Sequence, residues 1–248
     1  MDKRKKKMYF PHRLAEPKDM GKVELDVFEK ISRESQKRWN LPFLDFVLKS
    51  SSLEKGNILD VGSGPGFLAR DLAKKSKKLH VIGLDVSQYA VSQARKNGAN
   101  IGNLEFKKGS VYNLPFPDNF FDVVICKDSF HQFPNKPVQA LKEMLRVVKK
   151  DEGLIYINDL RRDVPLYLIN RVVPPNSTFE KLLYYSARAA YTKIELQKII
   201  EKAGGKCITV TTRKVTDKIK RLYEKEGIDP RFLKESFQSR YLAVIKNK

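Results

Sequence analysis

The chain has 248 residues, 41% hydrophobic and 10% aromatic, which suits one large packed domain or two small ones and excludes a wholly disordered polymer. No apolar run approaches the ~20 residues of a membrane span, and the basic start Met1-Asp-Lys-Arg-Lys-Lys-Lys-Met8 is not followed by the apolar stretch of a secretory signal, so a cytoplasmic protein is expected. The formal charge of +20 admits a nucleic-acid partner, an anionic substrate or a lysine-rich surface.

Taken in chain order, the Lys/Arg run at 3–7 reads as a solvated tail, with nonspecific polyanion contact as the alternative. Val23, Leu25, Val27, Phe28 and Ile31, then Leu41, Phe43, Leu44, Phe46, Val47 and Leu48, predict two helices. With the tail they make an N-terminal cap over residues 1–56, ahead of a main domain at 57–248. From there strand and helix alternate. Residues 57–61 read as a buried strand, 66–73 as a helix, 79–84 as a strand and 87–98 as a helix capped by Ser87. Strands follow at 104–107, 120–126 and 153–158, with a helix over 137–149. Alternation at this length argues for an α/β, Rossmann-like, doubly wound sheet.

The alternation breaks at about 160–191, where Pro165, Pro174 and Pro175 stand among aromatic and basic residues, which reads as an insertion. Thr192 with Glu195 three residues on is a capping-box helix start, and Gly204-Gly205 ends that helix before a strand at 207–211. A second insertion, basic and helical, is expected at about 214–238, before a last strand at 240–245. Residues 160–248 carry +11 of the net charge, against +5 for 1–56 and +4 for 57–159. Cys126 and Cys207 lie in separate strands without a CxxC pair or Cys/His cluster, so both are expected as buried thiols and no metal is called for.

The segment Ile58-Leu-Asp-Val-Gly-Ser-Gly-Pro-Gly-Phe-Leu68 runs a strand into Gly62, Gly64 and Gly66 and opens a helix at the last of them. Such a loop lets a ligand lie against the main chain beside a helix N-terminus. Its G-x-G-x-G spacing is not the G-x-G-x-x-G of dinucleotide enzymes, and no P-loop motif occurs. Asp60 precedes the loop, and Asp85 ends the second strand 19 residues after Gly66, where a carboxylate can accept both hydroxyls of a ribose. A nucleoside ligand is expected.

Together with Gly109-Ser-Val-Tyr-Asn-Leu-Pro-Phe116, Phe121-Asp-Val-Val-Ile-Cys-Lys-Asp-Ser-Phe-His131 and 140–153, these segments resemble the class I S-adenosylmethionine-dependent methyltransferases, closest to the ubiquinone/menaquinone biosynthesis branch. The resemblance covers residues 57–158 and implies a seven-stranded sheet with its last strand antiparallel. It further implies that S-adenosylmethionine is bound, and S-adenosylhomocysteine released, by Asp60, Gly62, Ser63, Gly64, Gly66, Asp85, Val86, Ser110, Val111 and Lys127. Ser110 stands where the family usually has an acid, so it offers adenine a hydroxyl without a charge.

Methyl transfer is a displacement at an activated carbon, so it needs positioning and, for some acceptors, a general base. His131, one short turn past the fourth strand, is the candidate base, with a structural histidine as the alternative. Asp128 is the second candidate, its alternative being to cap the following turn. Arg161 and Arg162 could clamp a carboxylate or phosphate, or pair with Asp159 and Asp163. Trp39 and Tyr185 are candidate pocket walls. A small-molecule methyltransferase, lidded by the cap and insertions and with an anionic acceptor as one option, is the leading expectation. An RNA methyltransferase using the basic C-terminal third is the alternative, weakened by the lack of an N-P-P-[YF] motif after the fourth strand. A non-enzymatic cofactor-binding domain is the third reading.

Overall fold

The computed structural model describes residues 13–14, 26–27, 29–30, 40–133, 136–163, 178–211 and 240–247. In chain order the elements are α1 (Leu41–Ser51), β1 (Gly56–Val61), α2 (Phe67–Lys75), β2 (Leu79–Asp85), α3 (Gln88–Asn97), β3 (Leu104–Lys108), β4 (Val123–Lys127), a 3₁₀ turn (Phe130–Gln132), α4 (Pro137–Val147), β5 (Leu154–Leu160), α5 (Thr178–Ala189), α6 (Lys193–Ala203), β6 (Lys206–Thr211) and β7 (Arg240–Lys246). The strands form one seven-stranded sheet in the order β3-β2-β1-β4-β5-β7-β6. The pairings from β3 through β5 are parallel, and β7 runs antiparallel to both β5 and β6.

Both faces of the sheet are covered, which is why its central strands read as continuous apolar runs. Leu59, Val61, Val124, Cys126, Ile155, Ile157, Tyr241 and Ala243 point to one face and pack on α4 and α6 through Leu141, Met144, Leu196 and Ile200. The alternate residues Ile58, Val123, Ile125, Tyr156, Leu242 and Val244 pack on the other face against Phe43 and Val47 of α1 and Leu68 and Leu72 of α2. The Tyr156 hydroxyl, though on that buried face, reaches the Ser50 hydroxyl at 2.8 Å, which fixes α1 to the sheet.

Several helix ends follow local rules. Ser87 caps α3 by accepting from the Ala90 N–H, and Thr192 and Glu195 form the capping box of α6. Gly204 ends α6 in the left-handed region at φ 89°.

Some boundaries differ from the sequence reading. β4 begins at Val123 and not at residue 120, because Phe121 bridges to Val148 and stacks edge-on with Phe116 and Phe120, at 5.0 and 4.9 Å between centroids. The stretch expected as an irregular insertion contains the twelve-residue helix α5. Cys126 is fully buried as expected, but Cys207 is only half-buried because β6 is the edge strand. The expected helix over 214–238 and most of the N-terminal cap fall outside the described residues. No described helix is long and apolar enough to cross a membrane.

Candidate functional site

Parallel register brings the ends of β1, β2, β4 and β5 to one edge of the sheet: Asp60 lies opposite Gly83 and Ile125, and Lys127 opposite Asn158. The antiparallel β7 starts there, with Arg240 opposite Leu160.

The glycine loop crosses this edge. Gly62, Gly64 and Gly66 have φ of 70°, 52° and 79°. At Gly62 a Cβ would stand 2.5 Å from the Ser129 hydroxyl, and at Gly66 one would stand 2.5 Å from the Phe106 ring, so neither position admits a side chain. The backbone N–H groups of Gly62 and Ser63 donate to the Leu84 carbonyl at 2.8 and 3.1 Å and bind the loop to β2. A Cβ on Gly64 would meet nothing within 4 Å, so this turn of the loop faces open space.

Asp85 organises the loop as well as the strand end. Its Oδ2 accepts from the Gly64 N–H and its Oδ1 from the Ser87 N–H, both at 2.9 Å, while its carbonyl accepts from the Gly109 N–H at 3.0 Å. Each carboxylate oxygen keeps lone-pair capacity for a further donor. Val86 beside it is 70% exposed, an apolar surface next to the acid.

Asp60 is buried, and its carboxyl is pushed up to about 7, chiefly by burial, with Lys127 drawing it down and Asp85 raising it. Asp60 Oδ2 and Ser63 Oγ are both buried without a hydrogen-bond partner. Two unsatisfied polar groups, an open glycine and the N-terminus of α2 thus converge, a cradle that suits a ligand rich in hydroxyl and amino donors.

The loop after β3 places Ser110 and Val111 differently. Ser110 Oγ accepts from the Tyr112 N–H at 3.3 Å, and the Val111 side chain belongs to the apolar core, which leaves its backbone as the part available to a ligand.

At the end of β4, Lys127 bonds Asp128 and is 11% exposed, so its ammonium is not solvated. Asp128 adopts a left-handed φ of 57° and also accepts from Arg240. It does not cap the next turn: Ser129 holds that position, and its hydroxyl donates to the Val61 carbonyl at 3.0 Å and lies 3.2 Å from Cys126 Sγ. Ser129 thereby laces β1 to β4 directly beneath Gly62, a role without a signal in the sequence.

His131 is 2% exposed and is held by Asp159 through two contacts, its backbone N–H to Oδ2 and its Nδ1 to Oδ1, both 2.8 Å. Asp159 is itself fully buried and also accepts from the Leu160 N–H at 2.7 Å. A carboxylate that fixes an imidazole is the arrangement that orients a histidine base, and it equally locks a structural one. Asp159 was legible as one more acid at a strand end, like Asp60 and Asp85.

The two arginines expected to clamp an anion are both engaged. Arg161 Nε bonds Asp163 at 2.9 Å. Arg162, 3% exposed, forks onto Glu195 and reaches the Ala190 carbonyl at 3.3 Å, so it ties the end of β5 to the capping box of α6, pairing with Glu195 and not with Asp159. Tyr185 lies on α5, 41% exposed, against Tyr184 at 5.9 Å. Trp39 lies outside the described residues. No group of three or more metal-ligating side chains occurs among the described residues.

Residues 59–157 match the family described as "Methyltransferase domain". Over this stretch the chain carries a match to a methyltransferase domain and is similar in sequence to the ubiquinone/menaquinone methyltransferases. The ubiquinone/menaquinone biosynthesis C-methyltransferase UbiE of Rickettsia bellii is 38% identical over 100 residues, 38% of this chain and 40% of that protein. The fatty-acid O-methyltransferase of Mycolicibacterium smegmatis is 31% identical over 129 residues, 52% of this chain and 46% of that protein. The chain thus spans about half or less of the length of such relatives. Among solved structures, the plantazolicin methyltransferase BamL, in complex with a triazolic desmethylPZN analog and SAH, superposes with a TM-score of 0.67 at 19% identity over 91% of each chain. A likeness at that identity concerns the fold.

Proposed function

We propose that the chain is a methyltransferase that uses S-adenosylmethionine to methylate a small molecule by direct displacement. The observation that carries this reading is the cradle at the end of β1: the open Gly64, the buried and unpartnered Asp60 Oδ2 and Ser63 Oγ, and Asp85 bonded to the Gly64 N–H beside them. Asp85 would accept the ribose hydroxyls and Val86 would lie against the base, with Ser110 and the Val111 backbone at its edge. Asp60, Ser63, the glycine loop and the end of β4 at Lys127 would surround the amino-acid portion. When bound, the cofactor supplies a methyl carbon activated by its sulfonium. The chain's own part is to hold acceptor and cofactor in line and to exclude water, positioning that supplies on the order of 7 to 11 kcal/mol.

His131, oriented by Asp159, is the proposed group for taking a proton from the acceptor. Asp128, bound to Lys127 and Arg240, is better suited to fixing those cations than to proton transfer. This reading keeps the division into a cap at residues 1–56 and a domain at 57–248 that carries the insertions at about 160–191 and 214–238. The methyltransferase relatives named for a quinone and a fatty acid support a small apolar acceptor. No observation on the described residues favours RNA.

Thermal unfolding tests the reading: S-adenosylmethionine and S-adenosylhomocysteine should both raise the melting temperature, because the cradle contacts parts they share, and NAD and ATP should not. Equal stabilisation by NAD would defeat it.

A further inference from the structure

Cations crowd the edge of the sheet where the site lies, and several are matched by carboxylates. Lys127 and Arg240 bond Asp128, Arg161 bonds Asp163, and Arg162 forks onto Glu195. Arg13 is different. It enters this edge from the N-terminal segment, held where its Nη2 donates to the His131 carbonyl at 2.7 Å and where the Leu14 N–H donates to the Arg188 carbonyl at 3.1 Å. Its guanidinium lies 4.4 Å from the centroid of the Tyr191 ring, and its Nε is buried with no hydrogen-bond partner. Among the described residues no carboxylate forms an ion pair with it.

The surroundings do not neutralise it either. Tyr112, Tyr191 and Tyr241 all feel its charge, yet burial pushes each phenol up, Tyr191 to about 12, so all three are uncharged near neutral pH. These rings bring three parts of the fold together: Tyr112 lies in the loop after β3 against Phe133, Tyr191 leads into α6, and Tyr241 lies on β7 opposite Asp159. A half-buried guanidinium with an unsatisfied N–H among neutral aromatic rings is a receptor for a planar anion, and its fork matches a carboxylate.

We infer that Arg13 receives a carboxylate of the acceptor molecule, whose apolar body lies along the half-buried aromatic side chain of Tyr112. The inference rests on the methyltransferase reading and names its acceptor class: carboxylates on a largely apolar body. It also moves the anion receptor from Arg161 and Arg162, which are paired, to Arg13. Arg13 is joined to the loop carrying His131, which brings the bound carboxylate to the same edge as the cofactor cradle.

Calorimetry on the full chain tests this in two stages. S-adenosylhomocysteine is titrated first into wild type, Arg13→Gln and Arg13→Lys, and the saturated proteins are then titrated with decanoate and, separately, with decan-1-ol. Equal S-adenosylhomocysteine affinity in all three, decanoate binding at least about tenfold weaker in Arg13→Gln and intermediate in Arg13→Lys, and decan-1-ol weak and insensitive to the substitutions would bear the inference out. Failure of wild type to bind decanoate, decan-1-ol binding as tightly as decanoate, or decanoate affinity unchanged in Arg13→Gln would overturn it while leaving the cofactor reading intact. Failure of wild type to bind S-adenosylhomocysteine would overturn the cofactor reading itself. Should Arg13→Gln not fold, Arg13→Lys and the wild-type contrast of acid with alcohol still decide.

Discussion

Asp60 is a carboxyl whose ionisation the fold opposes. Its folded value of about 7 lies above the ordinary 3.8, mainly through burial, so the native state holds its proton longer than the unfolded chain does. The sign follows: its contribution favours the fold at low pH and is lost as pH rises from the unfolded value through the folded one. The melting temperature of wild type should therefore fall, relative to Asp60→Asn, between about pH 4 and pH 7, and parallel pH profiles for the two proteins would contradict this. Asp85 should respond in two observables at once, because it holds the Gly64 and Ser87 N–H groups as well as facing the cradle. Asp85→Ala should weaken S-adenosylhomocysteine binding by ~1–3 kcal/mol and lower stability by a similar amount. Unchanged affinity in that variant counts against the ribose role. His131→Ala should leave S-adenosylhomocysteine affinity close to wild type and lower turnover by ~10²- to 10⁴-fold, and normal turnover would return the ring to a structural role. At this scale the sequence made Asp60, Asp85 and the glycines legible, because each has to be one residue type at one backbone position. Arg13 and Ser129 were not legible, since what matters in each is a long-range contact, to His131 and to Val61, that no local spacing encodes.

Among the elements, α6 shows how one residue can serve two connections. Glu195 closes the capping box on Thr192 and also carries the Arg162 fork. Thr192→Ala should cost ~0.5–2 kcal/mol, the ordinary value of a cap. Glu195→Ala should cost more, since it strands a guanidinium that is only 3% exposed, yet less than the ~3–5 kcal/mol of a fully buried pair because Glu195 itself is 40% exposed. Chemical denaturation of both variants checks the order, and a smaller loss for Glu195→Ala would show that Arg162 finds another partner. Elements with strong periodicity and caps, α3, α4 and α6, stand where the sequence put them to within two residues. β4 lost its first residues because Phe121 stacks with both Phe116 and Phe120, an aromatic cluster that looks like strand in a list of residues. The helix α5 was hidden by the prolines that precede it, which signal a break without saying where helix resumes.

For the whole molecule, the topology followed from alternating strand and helix, while the antiparallel placement of β7 between β5 and β6 came from the family resemblance and has no local signature. The basic excess, heaviest over residues 160–248, separates the two acceptor classes. An RNA acceptor would make affinity fall log-linearly with salt by ~0.7 to 0.9 log units per phosphate contact, whereas one carboxylate on Arg13 gives a shallow slope. The shallow slope is expected, and salt-sensitive binding to bulk RNA with methyl label incorporated would reverse it. The most direct measurement for the central claim is calorimetric titration of S-adenosylhomocysteine into wild type and Asp85→Ala, with NAD as the control nucleotide. The account predicts one site per chain in wild type, weakened binding in Asp85→Ala and no binding of NAD. No binding of S-adenosylhomocysteine to the wild-type chain, or NAD binding as tightly, would contradict it.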